Sequence, residues 1–128
     1  MSKKVLVVAT NLFFLPRIQN IAAPSGCETR QVMTVDRLNE EMGDGETVLV
    51  LVDLEAEAEF WGDAVRVVLA SGETRPKVVG YGGHTNTVML QRAEEVGCDM
   101  VLTKGQFSRD LGKLIAEAAE SGARSHTP

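Results

Sequence analysis

The chain has 128 residues, 44% of them hydrophobic and 24% charged, with a formal net charge of -5 at pH 7. That length suits one domain with a real core and is too short for two. The acidic balance argues against a nucleic-acid-binding surface, and no apolar run is long enough to cross a bilayer as a helix.

Met1-Ser2-Lys3-Lys4 before Val5-Leu6-Val7-Val8 begins like a signal peptide, but the apolar run is short and Thr10-Asn11 interrupts it. The contiguous, mostly β-branched residues from Lys4 to Ala9 read instead as a first strand. Leu12-Phe13-Phe14-Leu15 follows, unusually apolar for a connection, and Pro16 suits the first turn of a helix carrying Ile18, Ile21 and Ala22. Pro24-Ser25-Gly26 ends that helix. Cys27 and Cys98 lie far apart without metal-ligand spacing, which implies reduced thiols in a cytoplasmic protein.

Glu28 to Met33 reads as a second strand, placed at a sheet edge because its charges and Gln31 need water. Thr34 can cap a short helix with Val35, Leu38 and Met42 on one face, stopped by Gly43. The third strand, Val48-Leu49-Val50-Leu51-Val52-Asp53, is five apolar residues running into one carboxylate. Such a run suits a strand buried on both faces of a parallel sheet. The acidic stretch Leu54 to Glu59 leads into Trp61, Ala64, Val65, Val68 and Leu69, the clearest amphipathic stripe in the chain. Trp61 is expected in the core, and Glu55, Glu57 and Glu59 at a solvated helix start.

Pro76 precedes a fourth strand, Lys77 to Tyr81, and Gly82-Gly83-His84 makes a loop. Met89, Ala93 and Val96 mark a fourth helix closed by Gly97. Met100 to Thr103 is the fifth strand, and Ser108 can cap a last helix with Leu111, Leu114, Ile115 and Ala118 on one face. One domain over residues 1–120 is expected, with a mobile polar tail at 121–128. Strand and helix alternate throughout, which implies an α/β fold: a five-stranded parallel sheet of flavodoxin-like order 2-1-3-4-5 with helices on both faces.

Over Lys4 to about Ala119 the sequence resembles a response-regulator receiver domain. Val48 to Asp53 resembles the strand that ends in that family's phospho-accepting aspartate, and Gly97-Cys98-Asp99-Met100-Val101-Leu102-Thr103-Lys104 resembles its Gly-Ala-x-x-x-Leu-x-Lys-Pro segment. The order and spacing of the elements agree. The resemblance implies two-component signal transduction by phosphorelay, with Asp53 as candidate phospho-acceptor and Lys104 as the family's lysine. The departures are specific. The acidic metal-binding pair is replaced by Ala9 and Thr10, with Asn11 next. The hydroxyl residue ending the fourth strand falls at Gly82, the aromatic switch of the fifth strand at Val101, and the proline after the lysine at Gly105.

Phosphoryl transfer to a carboxylate needs charge neutralisation, which Mg²⁺ supplies through hard, negatively charged oxygen ligands. Asp53 with Thr10 or Asn11 as neutral helpers should bind Mg²⁺ poorly. The sequence therefore resembles a pseudo-receiver: a signalling module without cofactor or catalytic residue, independent of phosphorylation. It would act on a protein partner, or on itself, through the face of the fourth helix, fifth strand and fifth helix. Leu90, Arg92, Glu94, Arg109 and Lys113 are the candidate contact residues. One alternative is a phospho-accepting receiver in which Asp53 works with a degenerate Mg²⁺ site. Another is a small enzyme or ligand binder using Asp53, His84 and the Gly82-Gly83 loop.

Plainer readings stand beside the sharp ones. Asp53 and Lys104 are expected to face each other as an ion pair at the strand ends. His84 reads as a loop histidine, and Gly80-Tyr81-Gly82-Gly83 as a tight turn rather than an anion cradle. At least one of Phe13 and Phe14 is expected to cover the vacant metal pocket, and together with Leu12 and Leu15 they form either core or an apolar patch for a partner.

Overall fold

The computed structural model describes residues 3–124, with side chains through 121. Five parallel strands lie in the order β2-β1-β3-β4-β5. They are β1 (Lys3–Val8), β2 (Cys27–Val32), β3 (Glu46–Asp53), β4 (Lys77–Gly82) and β5 (Met100–Thr103). The helices are α1 (Leu15–Ala22), α2 (Val35–Met42), α3 (Ala58–Leu69), α4 (Thr87–Val96) and α5 (Lys104–Arg124). This is the sheet order and layering expected from the alternation of elements.

β3 is central, and its residues from Val48 to Asp53 are all buried. Alternation along the strands divides the core into two layers. Val5, Val7, Leu49, Leu51, Val79 and Tyr81 meet α1 and α5 through Ile18, Phe107, Leu111 and Ile115. Leu6, Val8, Val50, Val52 and Val78 meet α2, α3 and α4 through Leu38, Trp61, Val65, Val68 and Ala93. Trp61 is fully buried, as its place in the stripe implies.

Local signals explain most boundaries. The Thr34 hydroxyl accepts from the Arg37 N–H at 3.1 Å and caps α2. Asn86 caps α4 in the same way, accepting from the Met89 N–H. Gly97 ends α4 with φ at +119°, and a Cβ there would come within 2.7 Å of a Leu69 methyl, so both backbone and packing require glycine.

Several boundaries differ from expectation. β4 runs on to Gly82, so Gly80-Tyr81-Gly82 is strand and not the expected tight turn, and β2 starts and ends one residue earlier than expected. The last helix begins at Lys104, directly after β5, and Ser108 lies inside it. Its cap is Thr103, whose hydroxyl accepts from the Gln106 N–H at 3.2 Å while the Gln106 side-chain oxygen accepts from the Thr103 N–H at 3.0 Å. This reciprocal Thr-x-x-Gln box satisfies two donors where Ser108 could satisfy one. Ser108 instead joins α5 to α1, receiving Arg17 on its hydroxyl at 2.6 Å and on its carbonyl at 2.7 Å. The same helix runs through Arg124, so the tail expected from Ser121 is helical for its first four residues; residues 125–128 lie outside the described residues. Finally, α3 starts at Ala58, so Leu54 to Glu57 form a turn rather than the helix start expected of Glu55.

Candidate functional site at the carboxyl edge of the sheet

β3 ends in Asp53, 3% exposed, at the carboxyl edge where open α/β sheets place their ligands. Two turns grip its carboxylate. The Glu55 N–H donates to Oδ1 at 2.9 Å, an Asx turn within the β3–α3 connection. The Asn11 side-chain amide donates to Oδ2 at 2.8 Å from the β1–α1 connection. Both donors are neutral. Asn11 also accepts from the Phe13 N–H at 3.0 Å in a second Asx turn, and its carbonyl accepts from the Gln31 side chain at 3.1 Å. Gln31 donates to the Ala9 carbonyl as well, which ties the end of β2 to the same loop.

Lys104 lies at the same edge, as expected, but its partner differs. Its ammonium pairs with Glu55 Oε2 at 2.7 Å, and not with Asp53; both side chains are about two-fifths exposed. The reason is the turn after β3. By putting the Glu55 N–H on Asp53, it swings the Glu55 carboxylate into the mouth, where it meets the first residue of α5.

The remaining positions sort as follows. Ala9 is buried in the layer beneath α1, and Thr10 is exposed. Gly82 looks away from Asp53, since a Cβ there would touch Leu54 and Leu90 on the other face. Val101, half-buried, packs in the layer beneath α2, α3 and α4. Phe14 is buried, edge-on to Tyr81 at 5.3 Å and to Phe107 at 5.1 Å, while Phe13 is 77% exposed and touches Phe14 edge-on. From this connection the group hydrogen-bonded to Asp53 is the Asn11 amide. His84 is exposed on the β4–α4 turn, and among the described residues no hydrogen bond or ion pair joins it to Asp53.

Tyr81 is a neighbour that sequence reasoning missed. It pairs in register with Asp53 and faces the same layer, stacked on Phe107 at 4.1 Å. Burial, and after it the negative charges of Asp53 and Glu55, push its phenol up, so the hydroxyl is held protonated beside the site. The signal was the strict alternation of β4, which sends Tyr81 and Gly82 to opposite faces. For Lys104 no local signal exists, because its partner depends on where a turn from another strand ends.

Neither cysteine offers a nucleophile here. Burial pushes the Cys27 thiol up, and burial together with the Asp99 charge pushes Cys98 up to about 11. Among the described residues no group of three or more His, Cys, Asp or Glu side chains could hold a metal ion, and no helix is long and apolar enough to cross a membrane.

No protein-family model matches the chain, and no curated protein matches it. Solved structures do. The receiver domain of the TMAO respiratory system response regulator TorR is 17% identical, covering 93% of this chain and 98% of its own with a TM-score of 0.76. A CheY-like response regulator receiver domain protein from Methanospirillum hungatei is 18% identical over 98% and 99% of the two chains, with a TM-score of 0.71. The receiver domain of NtrX from Brucella abortus is 24% identical over 91% and 98%, with a TM-score of 0.70. The fold is therefore that of receiver domains over almost the whole length.

Proposed function

We propose that the chain is a receiver-like signalling module that works through protein contacts and does not depend on ordinary phosphorylation of Asp53. The observation that carries this reading is the state of the site. Both Asp53 oxygens are taken by neutral donors, and the lysine that would gather phosphoryl charge is held by Glu55. A nucleophile toward a phosphoryl donor needs positive charge placed where negative charge develops. In place of an acidic pair, the connection after β1 offers Mg²⁺ the neutral Asn11 and Thr10 beside Asp53, and the nearby Glu55 carboxylate is engaged by Lys104, a poor donor set for a hard dication.

The contact surface of this reading is α4, β5 and α5. The β5 edge carries Met100, Val101, Leu102 and Thr103, all uncharged and partly buried. The opposite edge, β2, carries Glu28, Arg30 and Gln31, side chains that discourage another strand or apolar surface from pairing. Arg92, Glu94, Arg109 and Lys113 are exposed around β5, and Leu90 is half-buried. The occupant is a protein partner or a second copy, with no role for nucleic acid or a membrane surface.

The test is NMR of the protein with Mg²⁺ and beryllofluoride, beside an Asp53→Asn control. No change in the amide spectrum of either protein is the expected result. Saturable shifts around Asp53 and Lys104 that vanish in the control would establish the other reading, a phospho-accepting receiver with a degenerate metal site.

A further inference from the structure

A carboxylate offers two acceptor oxygens, and the donors around Asp53 use both. The Glu55 N–H takes Oδ1 and the Asn11 amide takes Oδ2. Asn11 is then fully committed as well. With its NH₂ end on Asp53, its oxygen must face the Phe13 N–H, which it accepts at 3.0 Å. Its backbone carbonyl receives Gln31. The stretch it governs is short and apolar, with Leu12 62% and Phe13 77% exposed. On the far side the chain is anchored independently, by Phe14 between Tyr81 and Phe107 and by Arg17 on Ser108. Leu12 and Phe13 are thus two exposed apolar residues between two anchors; the Leu12 carbonyl accepts from the Leu15 N–H at 3.3 Å on the far side, and of the two anchors Asn11 is the one hydrogen-bonded to Asp53.

We infer that Asn11 is a latch that couples the acceptor state of Asp53 to the order of the Leu12–Phe13 loop. Any change leaving residue 53 with one free acceptor breaks the chain of bonds. The local bond to the Glu55 N–H, two residues away, keeps the remaining oxygen. In Asp53→Asn an NH₂ then faces the Asn11 NH₂, and in Asp53→Ala no acceptor faces it. If Asn11 turns its amide over to offer its oxygen, its NH₂ confronts the Phe13 N–H, and that bond is lost instead. Either way the turn holding Phe13 opens. The device needs no metal and holds whether or not Asp53 ever accepts a phosphoryl group, so its failure and that of the phosphate-independent reading are separate results.

The experiment measures the solvent-exchange rate of the Phe13 backbone amide by NMR in the wild type, Asn11→Ala, Asp53→Asn, Asp53→Ala and Lys104→Met. Asn11→Ala sets the rate of the unlatched loop. Both Asp53 variants should reach that rate, and the Asn11→Ala/Asp53→Ala double variant should go no further. Lys104→Met, which changes a nearby charge but no acceptor on Asp53, should keep the wild-type rate. Retained β-sheet amide protection in each variant shows that the fold is intact. Asp53→Ala is the second route should Asp53→Asn fold poorly. The latch is overturned if the Asp53 variants keep the wild-type rate, if Lys104→Met speeds exchange as much, or if the wild type already exchanges as fast as Asn11→Ala.

Discussion

The two ends of the sheet treat carboxylates in opposite ways. At the amino edge, Lys4 at the start of β1 is 3% exposed and pairs with Glu41 at 3.0 Å, while Arg37 reaches the other Glu41 oxygen at 3.2 Å. Nearby, Arg75 grips Asp99 with two bonds of 2.8 and 2.9 Å, and the Val78 N–H adds a third at 2.8 Å. At the carboxyl edge Asp53 is as buried as Lys4 but has only neutral donors, and the nearby cation pairs with a half-exposed glutamate. Carboxylates that hold the fold together are matched to cations. The carboxylate at the carboxyl edge is instead held in shape by two neutral donors and has no cation as a direct partner.

The largest effect expected from this contrast is at Lys4. Replacing it with Met takes the donor from the Glu41 carbonyl and from one oxygen of a buried carboxylate, leaving the half-exposed Arg37 as its one cation, which should cost about 3 kcal/mol in urea unfolding. Adding Glu41→Leu should restore part of that loss, because the half-paired buried carboxylate is then gone while the residue 41 carbonyl still lacks its donor. Asp53→Ala in the same titration should cost less than Lys4→Met. Equal losses would erase the distinction between the two ends.

A smaller effect is expected at Asp99, and it carries a pH signature. The Arg75 hydrogen bonds, helped by the Val78 N–H, hold the Asp99 carboxyl below the usual range. A carboxylate with a depressed folded-state value contributes stability above its unfolded pKa of about 3.9 and loses it as the pH falls through the folded value. Solvent screens this partly exposed pair, so the wild type should be more stable than Asp99→Asn at pH 7 by about 1 kcal/mol, and the gap should narrow below about pH 4. A gap that stays constant down to acid unfolding would show that the bonds to Asp99 gain nothing from its charge. Glu41, depressed chiefly by its bond to Lys4, titrates in the same direction.

The smallest effect is at Lys104. A pair as exposed as Lys104–Glu55 should contribute less than about 1 kcal/mol, so Lys104→Met should shift the unfolding midpoint little and lose even that difference in high salt. A large, salt-insensitive loss would place Lys104 among the structural cations of the other end.

Much of this was legible in the chain. The period-two and period-3.6 patterns set five strands and five helices, because burial on a pleat or a helix face leaves a mark at fixed spacing. Thr34 and Gly97 announced their boundaries through local chemistry, and the apolar run into Asp53 placed that carboxylate at a sheet edge. The cap of α5 was also written locally, in Thr103 and Gln106, but Ser108 offered a competing signal. Lys4 was hidden inside a strand because its partner comes from a helix 37 residues on.

By itself the sequence determined the alternation of strand and helix, a parallel sheet covered on both faces and the position of Asp53, since each follows from hydrophobic periodicity and crossover length; the strand order came from what such folds commonly adopt. Only the tertiary structure decided whom Asp53 and Lys104 touch. Those partners sit at the tips of connections from different strands, where the turn after Asp53 puts the Glu55 N–H on Asp53 and its carboxylate on Lys104, and where the alternation of β4 sends Tyr81 rather than Gly82 toward the site. Hydrogen bonds between loop tips carry no periodicity, so they become readable only once the sheet has brought the tips together.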